Sequence, residues 1–97
     1  MWRVELASQA VRTLRKLRGE ERERMVRAID TLVVDLVVVP RPAGKHVKAL
    51  EGGPEPLLRY RVGDRRIVYE VVDAKHLVVI RGIVARGDLD EWLRKRK

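Results

Sequence analysis

A two-residue turn between two alternating strands constrains the fold of this chain more than any other feature. Gly63-Asp64 separates residues 57–62 from residues 65–72, and both flanking segments alternate between apolar and other residues. A two-residue loop of this kind joins antiparallel strands and fixes their register. The sequence therefore predicts a β-hairpin. The cross-strand pairs that this loop predicts are Val62–Arg65, Arg61–Arg66, Tyr60–Ile67 and Arg59–Val68.

The predicted register separates the side chains into two faces, because successive residues of a strand point to opposite sides. The apolar face comprises Leu58, Tyr60, Val62, Ile67, Tyr69 and Val71. The other face carries Arg59, Arg61 and Arg66, and a second turn at Ala74-Lys75 would pair Val68 with Arg81. Like charges placed opposite each other destabilise a sheet by up to about 1 kcal/mol. We therefore interpret this face as an anion-binding surface; the alternative is a solvated face that Glu70 partly neutralises.

The rest of the chain predicts helices before this hairpin and a strand and short helix after it. Residues 2–6 form a strand by alternation, and Ser8 is the predicted N-cap of a helix that Gly19 closes. A second helix runs from about Glu20 into the mid-thirties, and Pro40 and Pro42 must end it. Further strands are predicted at 46–50 and 77–84, and Asp88 is a candidate cap for a short final helix. We predict an α+β fold, a single domain over residues 1–97, in which an antiparallel sheet carries an N-terminal helical hairpin on one face and a short C-terminal helix.

The composition points to a polyanionic partner. The chain contains 22 Lys and Arg residues against 14 Asp and Glu residues, and 16 of the 22 are arginine. Arginine forms bidentate contacts with phosphate and carboxylate groups. A composition with two histidines and no cysteine disfavours a metal centre, so we expect no metal and no cofactor. The sequence lacks an apolar run of about 20 residues and a signal peptide, so we expect a cytoplasmic protein without membrane contact. Asn is absent and Gln9 is the single Gln, which favours a thermophilic source.

Two motifs resemble those of a known family. Lys48-Ala49-Leu50-Glu51-Gly52 is similar to the "K-x-L-x-G" pattern of the RelE/ParE toxin superfamily, and residues 58–71 (LRYRVGDRRIVYEV) are similar to its "L-x-R-x-R-V-G-D-Y-R-V-I-Y-E-V" pattern. The resemblance covers essentially the whole chain. It implies the toxin of a type II toxin–antitoxin system, with a cognate antitoxin as partner. In RelE-like members the toxin acts with the ribosome and mRNA as partners, as an endoribonuclease that cuts mRNA in the ribosomal A site.

The resemblance also implies roles for individual residues. Arg59 and Arg61 stand where the family places basic residues, Arg66 matches the arginine after "G-D-Y", and Arg86 resembles the C-terminal catalytic arginine. We predict that these four are catalytic. We further predict RNA contacts for Lys48 in the first motif, for Trp92, whose indole can stack on a base, and for Arg81, the last from hairpin parity alone.

Three departures from the family pattern leave other functions open. The family often has lysine where this chain has Arg59 and Arg61, and an arginine that stays protonated at physiological pH is a poor proton acceptor. The tyrosine that many relatives carry after the last arginine is missing, and the usual "G-H-R" is Val84-Ala85-Arg86. His46 and His76 are best interpreted as solvated loop residues. The alternatives are a ParE-like inhibitor of DNA gyrase without nuclease activity, and a non-toxic member that only binds antitoxin.

Overall fold

The computed structural model describes residues 2–36, 47–50 and 57–95. Predictions for Pro40, Pro42 and His46 lie outside these ranges. The elements, in chain order, are β1 (Arg3–Leu6), α1 (Ser8–Lys16), α2 (Gly19–Leu36), β2 (Val47–Leu50), β3 (Leu57–Val62), β4 (Arg65–Val72), β5 (Leu77–Ala85) and α3 (Leu89–Lys95). Short 3₁₀ turns occupy Asp73–Lys75 and Arg86–Asp88. No helix within the described ranges is long and apolar enough to cross a membrane.

The five strands form one sheet of order β1-β5-β4-β3-β2, so the α+β prediction is confirmed. The predicted β3–β4 register is confirmed pair by pair, from Val62 opposite Arg65 to Arg59 opposite Val68. The sheet is not wholly antiparallel, however, because β1 runs parallel to β5, with Arg3 opposite Leu77. The direction of β1 relative to β5 depends on how the helical hairpin connects β1 to the rest of the sheet. The alternation of residues within a strand carries no information about that direction.

The predicted pairing of Val68 with Arg81 is wrong. The β4–β5 register follows the prediction from Val72 opposite Leu77 as far as Tyr69 opposite Ile80, and then Val68 faces Gly82. Arg81 is the extra residue of a β-bulge. A bulge shifts the alternation by one residue, and here the shift returns Ile83 to the apolar face, where it is 5% exposed. Burial of Ile83 in the core explains why the regular β4–β5 register does not continue past the pair of Tyr69 and Ile80.

The helical hairpin covers the apolar face of the sheet, as predicted. Buried residues of the helical hairpin, including the Leu17 C-cap of α1, pack against the inward residues of β4 and β5: Ala10, Leu17, Met25, Ile29 and Leu32 contact Ile67, Tyr69, Val71, Val78, Ile80 and Ile83. Each fully buried side chain of the size of Leu or Met contributes about 1.5–3 kcal/mol to folding. This core fixes the faces of β3 and β4, and Arg59, Arg61 and Arg66 therefore lie on the side away from the helices.

Two predicted helix boundaries are wrong. Ala7, not Ser8, is the N-cap of α1, and it caps without a side-chain hydrogen bond. The reason is the sheet, since the Ala7 N–H donates to the Ile80 carbonyl at 2.9 Å and holds Ala7 extended. Gly19 does not close α1, which has its C-cap at Leu17; it starts α2 with φ +56°, a left-handed conformation that favours glycine.

The short C-terminal helix α3 packs across part of the opposite face. Leu57, Val68 and Val84 form a second buried cluster, against which Leu89, Trp92 and Leu93 pack. Trp92 lies so close to the strand that a Cβ built on Gly82 would be 2.8 Å from its Cζ2. The bulge brings Gly82 to this face, so the indole of Trp92 rests on bare backbone. The predicted arginine face is therefore shared between an apolar patch under α3 and a charged end near the β3–β4 turn.

Candidate anion-binding site

Arg66 is the centre of the charged end of the sheet. It is the second residue of β4, and only 7% of it is exposed. Its Nη1 donates to the carbonyls of Gly63 at 3.0 Å and Arg65 at 2.9 Å. No carboxylate forms an ion pair with it among the residues described. Because Nη1 makes both bonds, the Nε and Nη2 donors remain available to an anion.

Three further arginines surround Arg66. The pKa of Arg66 is lowered, first by burial and then by the positive charges of Arg59, Arg61 and Arg86; the carboxylate of Asp64 acts in the opposite direction. Arg61 lies directly opposite Arg66 across the hairpin, as predicted. Arg86 is held at the same end because its N–H donates to the Asp64 carbonyl at 2.8 Å. We call Arg59, Arg61, Arg66 and Arg86 the arginine cluster.

The arginine cluster has the positive charge and the donor groups that a phosphate group requires. Arg61 and Arg86 are exposed and Arg59 is half-buried, so only Arg66 is largely desolvated. An arginine stays protonated even when its pKa is lowered, so the four charges repel each other without an anion. An anion of phosphate geometry accepts bidentate bonds from a guanidinium and relieves that repulsion. This arrangement can bind a phosphodiester and stabilise additional negative charge on it.

Arg81 does not belong to the cluster. Its Nε and Nη2 both bond Oε1 of Glu70, a carboxylate whose side chain is 5% exposed. Glu70 is four residues beyond Arg66 on the same strand, which places the two about 13 Å apart at 3.3 Å per residue. The structure thus brings four of the predicted arginines together and places the fifth in a separate ion pair.

The other two residues predicted to contact RNA lie beside this face. Lys48 pairs with Arg59 in the backbone register of β2 and β3. Trp92 is half-buried, with its indole on Gly82 and the second apolar cluster. Its position explains how α3 is held on the sheet, and the RNA contacts of both residues stay predictions.

His76 supplies no proton acceptor to this site. His76 stacks on Trp2 at a ring-centroid distance of 5.0 Å, where β5 begins, whereas Arg86 follows the other end of that strand. His46 lies outside the described residues. Within the described ranges, no group of three His, Asp or Glu residues is arranged to hold a metal ion. Among the described residues, the cluster consists of guanidinium groups, which bind anions and stabilise negative charge.

Sequence reasoning missed two contacts that α2 makes near the cluster. Arg65, the hairpin partner of Val62, donates through Nε to Glu21 at 2.5 Å and joins the hairpin to α2. Arg24 rests on Gly63, since its Nη1 lies 3.1 Å from the position of an added Cβ. The available signal was the exposed pair Arg24 and Arg27 at helical i, i+3 spacing, one turn apart on the same side of α2.

Comparison with known proteins assigns the family. A family model described as the ParE toxin of the type II toxin-antitoxin system, parDE, matches residues 4–88. The archaeal RelE of a RelE-RelB complex from Pyrococcus horikoshii OT3 has 31% identity and a TM-score of 0.66, over 89% of this chain and 96% of that one. A comparison with curated protein sequences finds no match.

Two further solved structures have the same fold. A chain of the toxin-antitoxin complex RelBE2 from Mycobacterium tuberculosis has 26% identity and a TM-score of 0.63, with 88% of this chain and 98% of that chain covered. The isolated E. coli RelE toxin has 23% identity and a TM-score of 0.64, with 99% and 98% covered. By the family match and the archaeal relative, the chain belongs to the RelE/ParE superfamily and is a toxin of a type II toxin–antitoxin system.

Proposed function

We propose that this toxin is a ribosome-dependent endoribonuclease that cleaves mRNA in the A site. It acts in the cytoplasm, and a cognate antitoxin binds it, as antitoxins bind the toxins of the similar complexes. The observation that carries the proposal is the buried guanidinium of Arg66. Backbone carbonyls hold it, no carboxylate pairs with it in the described structure, and three further arginines surround it.

The proposed cleavage reaction needs cations close to the scissile phosphate, and the arginine cluster supplies cations. The 2′-oxygen of one nucleotide forms a bond to the adjacent phosphorus and loses its proton, and the bond from phosphorus to the 5′-oxygen breaks. The products are a 2′,3′-cyclic phosphate and a 5′-hydroxyl that gains a proton. Negative charge on the phosphoryl oxygens increases in the transition state, and pre-organised cations stabilise it without reorganising.

The four arginines of the cluster have different roles in this proposal. Arg66, the desolvated member, binds the scissile phosphate and takes the largest part in charge stabilisation. Arg59, Arg61 and Arg86 orient the phosphodiester from the exposed side. None of them serves as the proton acceptor, because a guanidinium does not deprotonate at physiological pH. Lys48, Arg81 and Trp92 are proposed contacts to neighbouring parts of the RNA.

The experiment is cleavage in a purified translation extract, followed by primer extension to map new 5′ ends. We expect ends confined to translated codons for the wild type. Arg66→Ala should reduce the cleavage rate by about 10²–10³-fold, the usual cost of one donor to a developing oxyanion. Arg66→Lys keeps the charge and loses the planar fork, so it should recover only part of the rate.

Arg12→Ala is the matched control, since Arg12 is an exposed arginine of α1, and α1 packs on the face of the sheet opposite the arginine cluster. It should cleave like the wild type. Circular dichroism of each variant checks that it is folded. Cleavage by folded Arg66→Ala at the rate of the Arg12→Ala control would overturn the proposed role of the cluster.

A second function, inhibition of DNA gyrase, is favoured by one observation. The family model that matches residues 4–88 is that of the ParE toxin. A supercoiling assay with purified gyrase tests it in parallel. Gyrase inhibition together with unchanged mRNA ends would select this function over cleavage. Neither activity from folded protein would select the third alternative, a non-toxic member that only binds antitoxin.

A further inference from the structure

A second cationic surface lies beside the arginine cluster, in a groove between α2 and β3. The described residues that line it are Arg24, Arg27, Ala28, Thr31, Tyr60, Arg61, Val62 and Gly63. The described part of β2 pairs with β3 only as far as Val47 opposite Tyr60, so it does not reach Arg61 or Val62. The groove therefore lies at the end of the hairpin, close to the turn that carries Gly63.

The two helix arginines of the groove are exposed and have no ion-pair partner among the described residues. Glu20 and Glu23 precede Arg24 and Arg27 by four positions, a spacing that permits ion pairs, yet none forms within the described ranges. Glu21, the remaining carboxylate of this turn, is bonded to Arg65 instead. Both guanidinium groups are thus free to bind an anion in the groove.

The position of Arg24 is fixed by the hairpin. Its Nη1, Cζ and Nη2 lie 3.1–3.2 Å from the point where a Cβ would stand on Gly63. Gly63 has φ +56° and no side chain, so the guanidinium lies flat on the turn backbone. This close approach places a cation of α2 at the tip of the same hairpin that carries Arg61 and Arg66.

Arg61 joins the groove to the arginine cluster. Its charge lowers the pKa of Arg66, and it is also one of the residues that line the groove. The two surfaces consequently form one cationic track that passes over the end of the hairpin. A ligand with regularly repeated negative charges can contact both parts at once, which a single phosphate cannot.

We infer that this groove binds the sugar-phosphate backbone of single-stranded RNA next to the nucleotide held at the arginine cluster. The inference rests on the proposed RNA-cleaving function and extends it to a second binding site. An acidic protein helix is the other conceivable occupant. Such a helix needs large apolar anchor positions in its groove, whereas the described lining offers only Ala28 and the half-buried Val62 as aliphatic side chains. Phosphates need only the cationic donors that Arg24 and Arg27 present.

The test measures binding of two non-cleavable probes, a twelve-nucleotide and a three-nucleotide 2′-O-methyl RNA, by fluorescence anisotropy across a salt series. The variant is Arg24→Gln with Arg27→Gln. The matched control is Arg12→Gln with Arg15→Gln, an exposed arginine pair of the same spacing on α1. For the long probe, each lost phosphate contact should lower the slope of log K against log salt by about 0.7. We expect a decrease near 1.4 for the groove variant and none for the control.

The short probe and Arg66→Ala distinguish a failure of the proposed groove site from a failure of the proposed RNA-cleaving function. We expect Arg66→Ala to weaken binding of both probes, and the groove variant to weaken only the long one. A groove variant that behaves like its control, while Arg66→Ala weakens both probes, would overturn the groove alone. If neither Arg66→Ala nor the groove variant changes binding, the proposed function fails as well. Unchanged RNA binding with weakened binding of a cognate antitoxin would assign the groove to protein instead.

Discussion

Gly82 is the position at which one added methyl group tests how α3 is held on the sheet. A Cβ on Gly82 would lie 2.8 Å from Cζ2, 3.0 Å from Cε2 and 3.1 Å from Nε1 of Trp92. Carbon atoms in ordinary contact are about 3.5–4.0 Å apart. In Gly82→Ala the indole must therefore move by several tenths of an ångström or more, and α3 must move with it.

The size of the effect follows from two opposing contributions. Overpacking of this kind costs about 1–3 kcal/mol. Replacing glycine by alanine in an ordinary strand conformation returns about 0.4–1 kcal/mol, because the unfolded chain loses freedom. We expect Gly82→Ala to lower the free energy of unfolding by about 1–2 kcal/mol. In a Trp92→Leu background the ring is gone and the same change should be neutral or slightly stabilising.

The assay is urea unfolding monitored by circular dichroism, for the wild type, both single variants and the double variant. Gly87→Ala is the control, because nothing lies within 4 Å of the position that its Cβ would take. The cycle should give a coupling of about 2 kcal/mol between Gly82 and Trp92. Equal effects of Gly82→Ala and Gly87→Ala would refute the packing that we describe.

Three further predictions concern the core and the hairpin. Tyr69 is fully buried and its hydroxyl lacks a hydrogen-bond partner in the described structure, so Tyr69→Phe should raise the free energy of unfolding by about 1–3 kcal/mol. Burial raises the pKa of Tyr69 from 10.0 to about 12; the unfolded chain therefore loses this proton first, and wild-type stability should fall relative to Tyr69→Phe between pH 10 and 12 in alkaline unfolding curves. Gly63→Ala should cost about 1–2 kcal/mol in the same urea assay because φ is +56°, and an unchanged midpoint would contradict that conformation. The ion pair of Glu21 and Arg65 is partly exposed, with 54% of the Glu21 side chain and 29% of the Arg65 side chain accessible, so a double-mutant cycle should give a coupling below about 1 kcal/mol. A larger value would show that the pair is shielded from solvent.

The parts of the fold that could be predicted are those that local rules determine. The loop Gly63-Asp64 has only two residues, and it fixes each pair of the β3–β4 hairpin without reference to the rest of the chain. The same counting failed at Arg81, where packing of Ile83 in the core forces a bulge. The spacing of Val78, Ile80 and Ile83 did indicate the bulge, since the interval from Ile80 to Ile83 is one residue longer than alternation requires.

The same distinction between local rules and tertiary packing applies to the candidate site. Strand parity predicted that Arg59, Arg61 and Arg66 would share a face, and the structure places them together with Arg86. Parity did not predict the ion pair of Arg81 with Glu70, which depends on the bulge. It also said nothing of α2, because the approach of a helix to a hairpin end depends on tertiary packing rather than on periodicity.

The parallel pairing of β1 with β5 has a consequence for the newly made protein. Residue 3 pairs with residue 77, so β1 is synthesised well before the strand with which it pairs. Arg86 follows β5 and is added later still. An unfinished chain therefore has neither a closed sheet nor a complete set of cluster arginines. The full sheet and the arginine cluster can therefore form only after synthesis has passed Arg86, and the nascent chain before that point lacks the anion-binding arrangement.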